Sequence, residues 1–210
     1  MSKKSFDIST LLAFAFTCFY LGVAASMTMK NENMEFAIYV GVVFILLVVL
    51  SLIHLQYKLT GALLWLFSLW GLVHMAGGLY VVPYDWAFSG RERVLYNLWV
   101  IPESLKFDQV VHAYGFGITT WLIWEILQKT LMKKTGKGQK EFPPTLGLLF
   151  LCVIGSMGLG ALNEVIEFIA TLTLPETNVG GYVNTGWDLV YNTIGAVITA
   201  TLIFLSHRKN

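Results

Sequence analysis

Residues 36–55 read FAIYVGVVFILLVVLSLIHL and contain no ionisable side chain other than Tyr39 and His54. A helix rises about 1.5 Å per residue, so a segment of this length extends about 30 Å, which is the thickness of the hydrocarbon core of a bilayer. Core helices of small soluble domains are usually shorter and carry a polar face. The segment therefore predicts a transmembrane helix, and with it an integral membrane protein.

The composition of the whole chain agrees with that class. Of its 210 residues, 56% are hydrophobic and 13% are charged. Further apolar runs bring the predicted spans to six, at residues 9–27, 36–55, 60–81, 108–132, 145–172 and 187–206. The net charge of +1, with basic residues clustered between spans, gives no reason to expect a nucleic-acid partner. We predict an all-α, polytopic transmembrane helical bundle in the cell membrane, forming one domain over residues 1–210.

Basic residues in the connections set the predicted orientation. They precede the first span, follow the second and fourth, and end the chain: Lys3, Lys4, Lys58, Lys129, Lys133, Lys134, Lys137, Lys140, Arg208 and Lys209. The positive-inside rule then makes both termini cytoplasmic and places residues 82–107 and 173–186 outside. Lys3-Lys4, an apolar run and Ala24-Ala25-Ser26 also fit a cleaved signal peptide. We favour retention, because a retained first span keeps the six-span alternation.

The connection 82–107 is much longer than the other predicted loops. Its apolar stretch 94–101 is too short to span a membrane. Long loops in compact domains often cover binding sites, so the connection is a candidate lid over a cavity at the outer end of the bundle.

Ionisable residues inside the spans concentrate at one depth near the outer face. Asp108 and His112 are four residues apart at the start of the fourth span, and Glu164 and Glu167 are three apart near the end of the fifth. Each pair therefore projects from one side of its helix. Asp188 begins the sixth span. Charges within a bilayer are costly and normally face a bundle interior or a wet cavity, so these residues predict a functional site.

Four carboxylates beside one or two histidines require a compensating cation. One candidate is a divalent metal (Zn²⁺, Mn²⁺, Fe²⁺ or Mg²⁺), because Asp, Glu and His without Cys form a borderline-to-hard ligand set. Other candidates are bound protons or loop cations, namely Arg91, Arg93 and Lys106. Purely structural contacts between helices are a further alternative. In the metal interpretation the ligands are Asp108, His112, Asp188 and His74, and the catalytic carboxylates are Glu164 and Glu167.

Three residues have simpler alternatives. His74 could be a hydrogen-bonding core residue, and Asp188, which follows Gly186, could cap its helix. Glu125 lies deeper, and pairing with Lys129 at i,i+4 accounts for it without catalysis.

The starts of the fourth and sixth spans resemble each other. Residues 107–120 (FDQVVHAYGFGITT) align without gaps to residues 187–200 (WDLVYNTIGAVITA). The alignment places Asp108 opposite Asp188 and His112 opposite Asn192. Both segments run inward, so a duplication would be a parallel repeat.

Four motifs resemble the YjdF-like inner membrane proteins and, more remotely, the VanZ-like membrane family. They are HMAGGLY at 74–80, DQVVH at 108–112, ALNEVIEF at 161–168 and WD at 187–188, the last followed by Gly195-Ala196. The YjdF-like pattern usually has a further acidic residue before its W-D pair, where this chain has YVNTG at 182–186. The resemblance implies a polytopic helical membrane protein without a settled activity, and the VanZ association with glycopeptide resistance implies a role facing the cell envelope.

These observations favour a metal-dependent membrane enzyme acting on a membrane lipid or lipid-linked envelope substrate. A proton-coupled transporter or lipid-binding protein is the second hypothesis, and a non-catalytic scaffold is the third. The sequence does not identify the substrate, the metal or the oligomeric state.

Overall fold

The computed structural model describes residues 7–135 and 142–208. Within these ranges it contains six long helices: α1 (Ile8–Lys30), α2 (Met34–Tyr57), α3 (Gly61–Leu79), α4 (Phe107–Thr135), α5 (Leu146–Thr173) and α6 (Tyr182–His207). All six are long and apolar enough to cross a membrane. The predicted all-α, multi-pass membrane protein is confirmed. Several lysines used to predict the orientation lie outside the described residues: Lys3, Lys4, Lys137, Lys140 and Lys209.

Side-chain caps mark where three of the helices begin. Asn33 Oδ1 accepts a hydrogen bond from Phe36 N at 3.0 Å before α2. Thr60 and Thr145 accept from backbone N–H groups in the first turns of α3 and α5. Such caps satisfy amides that have no partner within the helix.

The sixth helix begins earlier than predicted, at Tyr182 rather than residue 187. Its first turn forms on Gly181, whose carbonyl accepts from Asn184 N at 2.8 Å and from Thr185 N at 3.2 Å. The apolar pattern begins at Trp187 because Asn184, Thr185 and Gly186 are polar or small, so hydropathy misses this turn. Asp188 therefore lies inside the helix, and the alternative that it caps the helix is wrong.

The fourth helix is the centre of the bundle and packs against α3, α5 and α6. Its approach to α6 is closest at Gly195, where an added Cβ would lie 1.9 Å from the backbone oxygen of Ala113. Small residues allow such close backbone packing in membranes. This contact fixes the facing segments of α4 and α6 against each other.

The second helix is the least enclosed of the six spans. It contacts α1 and, more sparsely, α3. Near its start, the Phe36 ring occupies the space that a side chain on Gly78 would need. Farther along, many of its side chains are exposed, so α2 stands partly apart from the bundle.

The connection between α3 and α4 folds over the end of the bundle that we call the outer end, following the predicted orientation. It contains a 3-10 helix (Leu95–Asn97) and the antiparallel strands β1 (Trp99–Ile101) and β2 (Leu105–Lys106). The Arg93 guanidinium donates to Pro83 O at 2.6 Å and lies 4.1 Å from the Phe88 ring centroid. This cation therefore stabilises the connection itself.

Candidate metal centre at the outer end

Helices α4 and α6 bring two carboxylates to one imidazole. His112 Nε2 lies 3.6 Å from Asp108 Oδ1 and 4.0 Å from Asp188 Oδ1. Asn184 Nδ2 holds the far side of this group, donating to Asp188 Oδ2 at 2.6 Å and to Asp108 Oδ2 at 3.5 Å. The two aspartates that the internal similarity aligns therefore both face His112.

Helix α5 adds two glutamates to the same group. Glu164 Oε1 lies 3.8 Å from His112 Nδ1. Glu167 is one turn farther along, and its Oε1 accepts from Asn163 Nδ2 at 3.0 Å. The structure thus brings together Asp108, His112, Glu164, Glu167 and Asp188, which we call the acid cluster.

The hydrogen bond between His112 and Asn192 determines which imidazole nitrogen faces the aspartates as an acceptor. His112 Nδ1 lies 3.0 Å from Asn192 Oδ1. An amide oxygen only accepts, so Nδ1 of a neutral imidazole carries the hydrogen and Nε2 holds the lone pair. Asn192 thereby orients the imidazole of His112, a position that would make it a second-sphere residue if His112 bound a metal.

Several oxygens of the acid cluster are buried without a hydrogen-bond partner among residues 7–135 and 142–208. They are Glu164 Oε1 and Oε2 and Asp188 Oδ1. The exposed fraction is only 7% for Glu164 and 1% for Asp188. A buried carboxylate oxygen without a donor or cation is strongly unfavourable, so these atoms indicate a missing positive partner.

Two groups of three side chains are compact enough to hold one ion. Asp108, His112 and Asp188 form the first, and His112, Glu164 and Glu167 form the second, with the ligand atoms of each group within 4.8 Å of one another. The first group uses Nε2 of His112. The second lies on the Nδ1 side, where Asn192 already occupies the nitrogen. The hydrogen bonding therefore favours the first group as the candidate metal site.

His74 lies on the wall of the adjoining cavity and belongs to neither group. The Tyr96 hydroxyl donates to His74 O at 2.9 Å, and its oxygen is hydrogen-bonded to His74 Nδ1. The His74 ring stacks on Trp70 with a centroid separation of 5.2 Å. These contacts account for His74 as a hydrogen-bonding wall residue, and its assignment as a ligand stays a prediction.

A polar cavity of about 190 Å³ opens beside the acid cluster. The sequence did not single out several of its wall residues, among them Glu35, Tyr96, Asn178 and Asn184. Asn178 N donates to Glu35 Oε2 at 2.8 Å, and Asn178 Oδ1 accepts from Asn97 Nδ2 at 3.0 Å. Spacing offered a signal for Asn184 alone, which precedes Asp188 by one helical turn. The others come from distant parts of the chain.

Two of the loop cations considered as counter-charges have their main contacts elsewhere. Arg91 pairs with Glu176 at 2.8 Å, and the hydrogen bond to this carboxylate raises the pKa of Arg91. Arg93 binds backbone carbonyls of its own connection. Lys106 is on the cavity wall, and its Nζ lies 5.4 Å from the Trp99 ring centroid. Of the three, only Lys106 has no carboxylate or carbonyl partner in the structure's described part.

Glu125 belongs to a separate contact at the opposite end of the bundle. Its carboxylate accepts from Thr60 N at 3.1 Å, Thr60 Oγ1 at 2.5 Å and Lys129 Nζ at 3.0 Å. The predicted pairing with Lys129 is confirmed. Glu125 therefore anchors the start of α3 to α4 and has no part in the acid cluster.

Comparison with known proteins agrees with the six-span architecture. A family model described as "Predicted membrane protein (DUF2238)" matches residues 10–209. The YjdF-like resemblance is compatible with this match, while the VanZ-like resemblance stays an expectation. No curated protein and no solved structure matches the chain. Because the model covers nearly the whole sequence, the chain belongs to the DUF2238 family of predicted membrane proteins.

Proposed function

We propose that the acid cluster binds a divalent metal and hydrolyses, or transfers the head group of, a lipid or lipid-linked substrate in the outer leaflet. The observation that carries this proposal is the set of buried oxygens on Glu164 and Asp188 that face His112 without hydrogen-bond donors in residues 7–135 and 142–208. A metal beside His112 Nε2 would pair directly with Asp188 Oδ1, whereas Glu164, on the Nδ1 side, would keep its oxygens available to a water molecule.

The ligands in this scheme are Asp108, His112 through Nε2, and Asp188. A divalent metal there supplies a Lewis acid that polarises a phosphoryl or carbonyl oxygen. His74 is the remaining candidate ligand, and moving it from the cavity wall would first require breaking its contact with Tyr96.

The glutamates of α5 supply the base. Neither carboxylate oxygen of Glu164 has a hydrogen-bond partner within residues 7–135 and 142–208. Glu164 would therefore take a proton from the attacking water while the oxygen of that water bonds to the reacting centre. The bond to the leaving group breaks, and Glu164 returns the proton to that group. Glu167, held by Asn163, maintains the negative potential that keeps the metal in place.

Elemental analysis of protein purified without chelator tests the proposal. Wild type should contain about one divalent ion per chain, and His112→Ala and Asp188→Asn should lack it. Glu125→Gln is the matched control, because it alters a buried carboxylate outside the acid cluster. Wild type should also show higher thermal stability with added metal, since a ligand that binds the folded state stabilises it.

The same measurements decide between the enzyme and the proton-coupled transporter. Wild-type protein without metal, whose thermal stability is unchanged across a panel of divalent ions, would reject the metalloenzyme. Stability that responds to pH and not to chelator would then favour carboxylates that exchange protons.

A further inference from the structure

A second cavity, larger and apolar, adjoins the polar one. Its volume is about 580 Å³, and it lies between α2 and the neighbouring helices. Leucine, valine, isoleucine and phenylalanine supply most of its wall. The two cavities share six wall residues: Val42, Val43, Leu46, Trp70, Asn163 and Ile166. A single molecule can therefore have a polar end beside the acid cluster and an apolar end in this second cavity, which we call the apolar groove.

Three of the polar side chains in the apolar groove, those of Thr17, Ser68 and Thr119, form hydrogen bonds within the protein. Thr17 Oγ1 and Ser68 Oγ lie 2.7 Å apart, and Thr17 also donates to Ala13 O at 2.8 Å. Thr119 donates to Gly115 O at 2.8 Å. With these groups paired, the groove offers a dry apolar wall suited to hydrocarbon.

The length of the apolar groove corresponds to slightly more than one leaflet. Along α2 its wall runs from Val42 to Leu55, which is roughly 20 Å at the helical rise. Half of the hydrocarbon core is about 15 Å thick. A chain that starts at the acid cluster and lies along α2 would therefore fill about 20 Å of groove and end near Leu55, close to the inner end of α2.

The charge of the polar cavity specifies the head group. A bare acid cluster repels an anion, but the metal proposed above reverses the local charge, and Lys106 adds a second cation at the wall. Phosphate is the anionic group that both would bind. A short apolar groove joined to such a cavity fits a phosphate ester attached to a hydrocarbon chain.

We infer that the substrate is a phospholipid of the outer leaflet, with one acyl chain in the apolar groove along α2 and its phosphate beside Lys106 and the acid cluster. This inference rests on the proposed function for the role of the head group. The groove is about 20 Å long and ends at Leu55, and this limited length favours an acyl chain over a long polyprenyl chain.

Photo-crosslinking tests where the acyl chain lies. Purified protein is reconstituted in phosphatidylethanolamine vesicles with a small fraction of phosphatidylglycerol carrying a diazirine midway along one acyl chain. Mass spectrometry after illumination should find the label concentrated at groove residues such as Leu50 and Ile53. Equal labelling of Leu151 and Leu202, which are exposed and outside the groove, would overturn the inference.

A matched pair of substitutions on α5 tests the groove wall. Leu162 lines the groove and is 53% exposed, while Leu151 lies outside it and is 61% exposed. Leu162→Trp should reduce labelling at Leu50 and Ile53 about tenfold, since displacing about two methylene groups is enough for that loss. Leu151→Trp should leave it unchanged. Unchanged labelling in Leu162→Trp contradicts the inference.

A competition experiment on wild-type protein avoids any dependence on how the variants fold. Unlabelled phosphatidylglycerol should displace the probe from the groove residues at lower concentration than a polyprenyl phosphate does. The reverse order would make the substrate a polyprenyl phosphate and reject the phospholipid.

The failure of this inference and that of the proposed function are distinguishable. If wild-type protein contains no metal but is still labelled in the apolar groove, the protein binds lipid without being a metalloenzyme. The proposed function would then fail, and the assignment of the groove to an acyl chain would remain. If the protein binds metal but is labelled evenly over its surface, only the assignment of a phospholipid substrate would be rejected. Asp188→Asn should lose the metal and label less in the groove, because an acid cluster without metal repels the phosphate of the probe even though Asp188 is not part of the groove wall.

Discussion

His112 and Asn192 occupy aligned positions in the two similar segments of α4 and α6, and they bind each other across the helix pair. The Nδ1–Oδ1 distance is 3.0 Å, and both side chains are buried. The close packing of Gly195 on Ala113 holds the helices at this separation. The internal similarity therefore has a structural counterpart in which one copy supplies the imidazole and the other supplies the amide that orients it.

Removing the amide should weaken metal binding without abolishing it. We expect Asn192→Ala to lower metal affinity about 10–100-fold, as loss of a second-sphere partner does, whereas His112→Ala removes the ligand itself. Isothermal titration of metal into chelator-treated protein measures the difference. Thr193→Ala on the same helix is the control, because among the described residues the Thr193 hydroxyl bonds Leu189 O of its own helix and no residue of the acid cluster. If Asn192→Ala binds metal with the same affinity as wild type, Asn192 does not contribute to the metal site.

Carboxylates of the acid cluster should matter more for function than Glu125. Asp108→Asn removes a ligand charge, and Glu164→Gln removes the base, which costs about 10²–10⁴-fold in rate. Glu125→Gln should instead lower stability by about 1–2 kcal/mol by weakening its bonds to Thr60 and Lys129. Head-group release from phospholipid vesicles and an envelope phenotype are the readouts. Equal loss in all three variants at normal protein levels would show that depth does not locate the site.

The contact between Tyr96 and His74 predicts a specific pH dependence. Burial, followed by the charge of Asp108, raises the pKa of Tyr96 well above its usual value of 10.0. A raised pKa in the folded state means that the stabilisation is complete below pH 10 and is lost as the pH rises above it. Tyr96→Phe lacks both the hydrogen bonds and this titration. Wild type should be more thermally stable at pH 8, and its advantage over Tyr96→Phe should shrink above pH 10.

Unfolding curves at pH 8 and above pH 10 measure that advantage, and Tyr84→Phe is the control because Tyr84 is exposed. A constant difference between wild type and Tyr96→Phe at all pH values would contradict the prediction. Hydrogen exchange at residues 94–98 adds a test of the lid, since loss of the Tyr96 contact should speed exchange there.

The contact between α4 and α6 should not tolerate a methyl group. Gly195→Ala places a Cβ 1.9 Å from Ala113 O, and we expect the free energy of unfolding to fall by about 1–3 kcal/mol or more, because the nearest atom belongs to the backbone. Gly158 on α5 has nothing within 4 Å of an added Cβ, so Gly158→Ala should be neutral or stabilising by up to about 1 kcal/mol. Thermal unfolding in detergent compares them. Equal stability of the two variants would mean that the helices are farther apart.

The orientation can be tested at described positions. In a background with Cys18 and Cys152 replaced by alanine, a cysteine at Glu176 should react with an impermeant thiol reagent added to intact cells. A cysteine at Lys133 should react only after the membrane is opened, because the positive-inside rule places it in the cytoplasm. If the cysteine at position 133 is labelled from outside intact cells, the topology is the reverse of the predicted one.

Sequence predicted the spans well because apolar runs of bilayer length have few alternative explanations. It also predicted that Asp108, His112, Glu164, Glu167 and Asp188 converge, since their depth and helical spacing left few other arrangements. It missed the first turn of α6, where Asn184 and Gly186 interrupt the apolar pattern.

The sequence did not identify Asn192 as the orienting partner of His112, because that contact depends on the rotation of α6. It also missed Tyr96, whose position depends on the folding of residues 80–106 over the outer end. Both contacts join residues more than twenty positions apart, and spacing along one helix carries no information about them.

The composition of α4 has a consequence for biogenesis. It is the least apolar of the six spans and also the most enclosed. Asp108 and His112 lie in its first two turns, and the α6 side chains that face His112, namely Asp188 and Asn192, are made later by the ribosome. We therefore expect α4 to stay beside the translocon until α6 arrives, and nascent chains that stop before residue 182 to be degraded by quality-control proteases of the membrane.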